Sequence, residues 1–282
     1  MRAFDEFRNK DQSFWALVKY VSETLGYTDR RTRSICTYSK EKIANLLEAQ
    51  NIFASAPLIQ SLKQYFDMRA SLLNDCVCKL LMTVDEAKEK YERLLTLYNE
   101  ERFRCKLPEN KQNGKMKRVN YFTAIINILA EDTIRKSSVY DDRSLGFNDD
   151  PRGLTYVLND CGQLIGASSR RFDGAYPDLI NPKIVWEIKE YYYTTTFGSR
   201  VADGIYETQL DGYEFRDINN KYGKKVIHVF FADAYKTWWE DGKSYLCRMI
   251  DILNAGLADE VIIGREVFTR WPELLMSVIE GS

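Results

Sequence analysis

One segment near the middle of the 282-residue chain constrains the fold more than any other. Between Ile184 and Lys189, every second residue is large and apolar, while Glu187 and Lys189 occupy alternate positions. Because successive side chains of a strand point to opposite faces, Glu187 and Lys189 share one face and the large apolar residues share the other. The segment therefore predicts a strand that buries one face and presents an acid beside a base on the other.

A second segment, 226–232, is almost entirely apolar. A run of this length is typical of a central strand that is covered on both faces, so His228 within it is predicted to be a buried core residue. Helices are predicted at 121–136, 199–219, 244–255 and 272–279, and further strands within 153–165 and at 260–264. This order predicts an α/β fold with a mixed central sheet flanked by helices.

The first part of the chain has a different pattern. Apolar residues recur at helical spacing through most of 39–105, with an interruption near Pro57. Thr83 followed by Glu86 has the spacing of a capping box, which predicts the start of a helix. We therefore predict an α-helical N-terminal region that precedes the mixed sheet.

Acidic residues near the central segment predict a chemistry. Asp178 precedes the turn signal Asn181-Pro182, and a short hairpin-like turn would bring it beside Glu187. Two carboxylates at one place repel each other unless a cation neutralises them, and carboxylate oxygens suit Mg²⁺. A metal held in this way polarises a phosphoryl oxygen, while Lys189 stabilises the developing charge. The expected reaction is hydrolysis of a phosphodiester.

Pro177-Asp178 followed by Glu187-Ile188-Lys189 resembles the motif of PD-(D/E)XK nucleases, and the chain is most similar to type II restriction endonucleases. The resemblance implies a magnesium-dependent, sequence-specific endonuclease that cleaves double-stranded DNA and has a restriction-endonuclease-like core. It also implies that Asp178, Glu187 and the main-chain carbonyl of Ile188 hold Mg²⁺, with Lys189 as the third catalytic residue. The alternative is an edge strand with a solvated Glu–Lys pair, which contributes little stability.

Other acids compete for a place in this site. Nucleases of the same kind often carry a further acid on the helix before the sheet, and Glu131 fits that position, with Asp132 as its competitor. Asp173 is an alternative first acid, although it lacks a proline neighbour and lies further from Glu187 in the sequence. The spacing alone does not decide among these acids.

Several residues are predicted to contact DNA. Arg170 and Arg171 lie close to the acids in sequence, and arginine matches phosphates or guanine edges through paired hydrogen bonds. Thr195, Ser199 and Arg200 lie where the chain leaves the central strand and enters the next helix. Ser199 has a second interpretation as the cap of that helix.

The resemblance covers about residues 117–265 and leaves two further alternatives. Gln209 and Tyr213 resemble the QxxxY element of exonuclease branches, which favours a repair or recombination nuclease. The other alternative is a protein that keeps the fold and binds DNA without cleaving it. Clustered carboxylates speak against that second alternative, because binding alone does not need acids near a phosphate.

The domain organisation follows from these patterns. We expect residues 1–116 to form an α-helical region that serves as a DNA clamp or dimer contact, and 117–282 to form the catalytic core. A homodimer is expected, because one active site faces one strand of the duplex. The net charge of −1 is unusual for a DNA-binding protein, but a whole-chain sum hides local patches.

The expected location is the cytoplasm. No signal peptide and no long apolar run is visible, so neither export nor a membrane partner is predicted. The six cysteines lack the spacing of zinc ligands. They are predicted to be buried, reduced thiols, which suits a reducing compartment.

Overall fold

A computed structural model describes residues 1–29, 31–110, 118–193 and 199–281 of the chain. The fold is mixed α/β, with helices around a mixed sheet. The helices are α1 Asp5–Arg8, α2 Gln12–Leu25, α3 Lys40–Glu48, α4 Ala56–Ser71, α5 Cys78–Leu80, α6 Val84–Glu100, α7 Tyr121–Arg135, α8 Ser199–Tyr222, α9 Lys243–Asn254 and α10 Val267–Glu280. The strands are β1 Glu109–Asn110, β2 Arg118–Val119, β3 Tyr156–Leu158, β4 Leu164–Ala167, β5 Gly174–Tyr176, β6 Ile184–Glu190, β7 Ile227–Asp233 and β8 Glu260–Ile263.

The main sheet has the strand order β5-β6-β7-β8. Strand β5 is antiparallel to β6, and the other neighbours are parallel. Strand β7 lies between β6 and β8, and His228 on it is buried, as its apolar sequence predicted. The two remaining strand pairs, β1 with β2 and β3 with β4, are small antiparallel sheets.

Helices cover both faces of the main sheet, and the alternation of β6 decides which of its side chains meets which helices. Ile184, Trp186 and Ile188 join the core formed with α6, α7 and α10. Trp186 packs against Trp271 of α10, with ring centres 5.1 Å apart. The opposite face of the sheet packs on α8 and α9. The predicted buried face of this segment is therefore confirmed.

The backbone of β5 packs directly against the indole ring of Trp186. A β-carbon added to Gly174 would lie 2.0 Å from Trp186 Cε2, so only glycine leaves room for the ring there. Gly174 pairs with Trp186 itself in the β5–β6 register. The close approach of ring and backbone holds this register in place.

The N-terminal region is helical, as predicted, and α2, α3 and α4 enclose a small aromatic core of their own. The predicted interruption near Pro57 is the start of α4, where proline occupies the first turn. The predicted capping box is present: Thr83 and Glu86 bond reciprocally at the start of α6. A buried ion pair joins this region to α9, with Arg69 Nη1 2.9 Å from Asp251 Oδ1.

Trp238 is fully buried and packs against Tyr191 and Phe230. The prediction that the cysteines are buried is wrong for most of them. Of the six cysteines, which are all free thiols, only Cys105 and Cys247 are buried. None of the described helices is both long enough and apolar enough to span a membrane.

Candidate active site

A cleft of about 850 Å³ opens where β6 ends and β5 begins. Ligand sites in open α/β sheets commonly lie at the carboxyl ends of the strands. The cleft is rich in ionisable side chains, and acids outnumber bases. Its acidic residues are Asp149, Asp150, Asp173, Glu187, Glu190, Asp203 and Glu207, and its basic residues are Arg152, Arg170, Arg171 and Lys189.

Asp173 and Glu187 face each other across two adjacent strands. Gly174 pairs with Trp186, so Asp173, one residue before β5, lies opposite Glu187. The Asp173 N–H donates to the Trp186 carbonyl at 3.0 Å. Its carboxylate Oδ2 accepts from the Ile188 N–H at 2.7 Å, which aims the side chain along the end of β6. The alternative first acid of the sequence is therefore the one beside Glu187.

Asp178 is not beside Glu187, and the prediction that placed it there is wrong. Tyr176 pairs with Ile184 at the far end of the β5–β6 ladder, so Asp178 lies in the turn beyond that end. Its carboxylate accepts from Asn148 Nδ2 at 2.7 Å and does not line the cleft. The turn at Asn181-Pro182 was predicted correctly, but Asp178 lies within the turn and is therefore distant from Glu187 in the middle of β6.

Glu187 and Lys189 share one face of β6, as the alternation predicted. Lys189 Nζ forms ion pairs with Glu187 Oε1 and, at 2.9 Å, with Glu207 Oε2 of α8. Burial lowers the pKa of Lys189, but attraction to Glu187 and hydrogen bonds to both acids outweigh it. The pKa of Lys189 is therefore raised, and the ammonium stays charged.

Glu190 lies on the opposite face of β6, also as predicted. Its Oε2 accepts from the Thr123 N–H and from the Thr123 hydroxyl, each at 3.0 Å. Glu190 thus caps the first turn of α7, where unpaired N–H groups attract a carboxylate. Burial raises the pKa of Glu190 to about 7, and the bonds from α7 oppose this shift.

Helix α8 brings residues to the site that the sequence did not identify. Gly204 packs against the Lys189 stem, and Glu207 and Asp211 point to the same side of the helix. Asp203, Glu207 and Asp211 recur at helical spacing, which was a usable signal for one acidic face. The predicted QxxxY pair behaves differently, because Gln209 and Tyr213 line a separate cavity of about 380 Å³ between α8, α2 and α9.

Arg170 lines the cleft, but its side chain is only 20% exposed and is engaged by neighbouring acids. Its Nη2 lies 2.9 Å from Glu187 Oε2 and 2.9 Å from Asp211 Oδ2. Asp211 is fully buried, and burial raises its pKa to about 7, while Arg170 opposes that shift. His228 Nε2 lies 4.0 Å from Asp211, and burial lowers the pKa of His228 to about 4, so this histidine is neutral at pH 7.

The other predicted site residues lie elsewhere. Glu131 is buried and accepts from the Arg104 and Cys105 N–H groups and from Arg135, so it holds a loop and does not reach the cleft. Asp132 pairs with Lys136 on the surface. Arg171 is exposed and lines the cleft. Thr195 lies outside the described residues, as do the side chains of Ser199 and Arg200 at the start of α8.

The cluster around β6 carries excess negative charge. Asp173 is in contact with water on its cleft side. The protein atoms around the rest of its carboxylate disfavour the charged form, and the nearby Glu187 adds to this effect, so the pKa of Asp173 is raised to about 7. The four acids and two bases of the cluster have a formal charge of −2, the charge that one divalent cation neutralises. The acids are Asp173, Glu187, Glu207 and Asp211, and the bases are Arg170 and Lys189.

The donor set fits a magnesium ion that shares its coordination with water and substrate. Glu187 Oε2 is buried and receives no hydrogen bond from the described residues, although Arg170 lies 2.9 Å away. Within the described ranges, no set of three or more His, Cys, Asp or Glu side chains is arranged to hold a metal. Magnesium is commonly held by one or two carboxylates together with waters and substrate phosphates, so Asp173 and Glu187 suffice.

Fold and site together define a mixed α/β protein whose cleft carries two facing acids and a lysine. The chain belongs to the family described as Domain of unknown function (DUF7687), which matches residues 82–278. A second family, Domain of unknown function (DUF7690), matches residues 1–76. No curated protein and no solved structure matches the chain. The two matched segments are separated at 77–81, whereas the sequence patterns placed the boundary between 116 and 117.

Proposed function

We propose that the protein is a magnesium-dependent DNA endonuclease of the PD-(D/E)XK kind, with Asp173, Glu187 and Lys189 as its catalytic set. Asp173 takes the role that the sequence motif gave to Asp178. One observation carries the proposal: Asp173 faces Glu187 across the β5–β6 pair, and Lys189 lies on the same face of β6 within a cleft.

Three groups would hold the metal. Asp173 and Glu187 supply carboxylate oxygens, and the main-chain carbonyl of Ile188 supplies a third ligand. The Ile188 N–H points towards Asp173, and the N–H and C=O of one strand residue face the same side. Strand β5 begins only at Gly174, so this carbonyl lies beyond the paired part of β5. When bound, magnesium polarises a phosphoryl oxygen and lowers the pKa of a bound water.

The protein's own groups then act on the phosphate and the water. Lys189 is held between Glu187 and Glu207, and its charged ammonium stabilises negative charge that develops on the phosphoryl group. Burial raises the pKa of Asp173 to about 7 in the protein alone, but a bound cation would favour the ionised carboxylate, so Asp173 would orient the attacking water as a metal ligand. Glu187 is buried and is held by its contacts with Lys189 and Arg170.

The charge of the cleft supports a role for the cation in substrate binding. Seven acidic and four basic side chains line it, so a phosphodiester would be repelled without a metal. The exposed Arg171 and Arg152 at the rim are suited to phosphate contacts. Site-specific cleavage of double-stranded DNA, as in restriction enzymes, would use a homodimer, with the N-terminal helical region as clamp or dimer contact.

Cleavage of supercoiled plasmid in Mg²⁺, followed by sequencing of the ends, tests the proposal. Wild-type protein should cut, and EDTA should stop the reaction. Asp173→Asn should lower the rate by at least about 100-fold, because it removes a metal ligand, whereas Asp178→Asn should stay within a few-fold of wild type. An inactive wild-type protein over a broad set of DNA sequences, or an active Asp173→Asn variant, would refute the assignment.

A further inference from the structure

We infer that Arg170 is a positioning residue that restrains Glu187 in the wall of the cleft and competes with the divalent cation for its carboxylate. The inference rests on the proposed function, since it concerns the same metal site. It assigns Arg170 a task inside the protein, in place of the DNA contact that its sequence position suggested.

Arg170 makes close contacts with two acids, Glu187 and Asp211, and a longer ion pair of 3.8 Å with Glu207. Nη2 lies 2.9 Å from Glu187 Oε2 and 2.9 Å from Asp211 Oδ2, and Nε donates to the same Asp211 oxygen at 3.1 Å. The contact with Glu187 is ionic and lacks hydrogen-bond geometry. Arg170 Nη2 therefore contacts both acids at the same distance, and Nε adds a hydrogen bond that ties the guanidinium to Asp211.

Asp211 and a neighbouring ring anchor the guanidinium. Asp211 lies on α8 and is fully buried, so its carboxylate has little freedom to move. The guanidinium carbon lies 5.4 Å from the centre of the Phe172 ring, a distance at which a cation is attracted to an aromatic face. These contacts keep the positive charge of Arg170 next to Glu187 whether or not a metal is present.

The consequence for metal binding follows from the charges. Lys189 forms an ion pair with Glu187 Oε1, and Arg170 lies beside Oε2. An entering cation must share Glu187 with both bases and is repelled by both. Removing Arg170 should therefore strengthen metal binding, and the loss of its restraint on Glu187 should slow cleavage. A residue that merely stabilised the fold would weaken both.

The experiment measures Mn²⁺ binding by calorimetry without DNA, and cleavage separately. The variant is the double substitution Arg170→Met with Asp211→Asn, because the single substitution would leave Asp211 buried without a partner. Its Mn²⁺ affinity should rise several-fold, because the lost positive charge lies 2.9 Å from a proposed ligand oxygen and the loss of the Asp211 charge offsets only part of that gain. The single-turnover cleavage rate should fall at least about tenfold. Arg170→Lys, which keeps the charge, should bind Mn²⁺ much like wild type.

A surface pair provides the matched control. Arg143 pairs with Asp141 outside the cleft, and its side chain is 86% exposed. Arg143→Met with Asp141→Asn removes the same groups and should leave Mn²⁺ affinity unchanged. If wild-type protein binds no Mn²⁺, the proposed function itself fails. If wild type binds Mn²⁺ but the folded Arg170 and Asp211 double variant binds it equally or more weakly, the proposed function stands and the role of Arg170 is refuted.

Discussion

Gly204 of α8 lies against the side chain of Lys189, so that a β-carbon at Gly204 would be 2.8 Å from Lys189 Cε and 3.1 Å from Cδ. The absence of a side chain at this helical position creates the slot through which Lys189 reaches Glu187 and Glu207. The packing of α8 on β6 therefore determines where the ammonium of Lys189 is placed.

Gly204→Ala should separate activity from stability. Alanine is favoured over glycine within a helix by about 1 kcal/mol, and the atoms it meets belong to a flexible side chain that can shift. The thermal midpoint should stay constant or rise, while single-turnover cleavage should fall about tenfold as Lys189 is displaced. Gly212→Ala is the contrasting variant, because its β-carbon would lie 2.0 Å from the Leu257 carbonyl, and it should destabilise the fold. If Gly204→Ala cleaved DNA at the wild-type rate, the position of Lys189 would not depend on the space left by Gly204.

Lys189 and Glu190 should differ sharply in their effect on cleavage. Lys189→Ala removes the cation beside Glu187, and such groups typically contribute about 10²–10⁴-fold to the rate. Glu190→Ala removes the cap of α7 and should cost about 1 kcal/mol of stability with only a mild change in rate. Single-turnover cleavage at saturating Mg²⁺, with urea unfolding of both variants, checks this. A fully active Lys189→Ala protein would exclude this lysine from the reaction.

Stability should depend on pH through Asp233. Burial raises its pKa to about 8, although Tyr192 and the Met82 and Ala234 N–H groups bond to its carboxylate and oppose the shift. An unfolded aspartate titrates near pH 3.9, so between about pH 4 and pH 8 the native state binds the extra proton. The contribution of Asp233 is therefore fully present below pH 4 and is lost as pH rises towards 8.

Urea unfolding of the metal-free protein at pH 5, 6.5 and 8 measures this dependence. Asp233→Asn keeps the size of the side chain and removes its titration, so its stability should fall less between pH 5 and pH 8 than that of wild type. If the free energy of unfolding changed equally with pH in the two proteins, Asp233 would not be the source of the pH dependence.

The ion pair between Arg69 and Asp251 should be essential for stability. Arg69 is fully buried, and Asp251 also accepts from the Tyr65 hydroxyl. Asp251→Ala leaves Arg69 buried without its partner, and breaking such a pair costs about 3–5 kcal/mol. Asp67→Ala breaks a partly exposed pair with Lys63 on the same helix as Arg69 and should cost less than about 1 kcal/mol. Urea unfolding compares them, and similar losses would contradict the argument.

The sequence by itself determined the features that depend on near neighbours along the chain. Alternation from Ile184 to Lys189 was enough to place Glu187 and Lys189 on one face of β6 and Glu190 on the other. The apolar run 226–232 was enough to identify the central strand, and Thr83 the start of α6. These patterns reflect the period of a strand or the first turn of a helix, so no distant contact is needed to interpret them.

Tertiary structure alone decided which acid faces Glu187 and which groups surround it. The choice of Asp173 over Asp178 depends on the β5–β6 register, which is held by the Trp186 ring over Gly174, a contact between strands. A different turn length would have shifted the pairing and selected another acid. Glu207 and Asp211 joined the site because α8 packs on β6, and that packing follows from the shapes of two distant segments rather than from the local pattern of either.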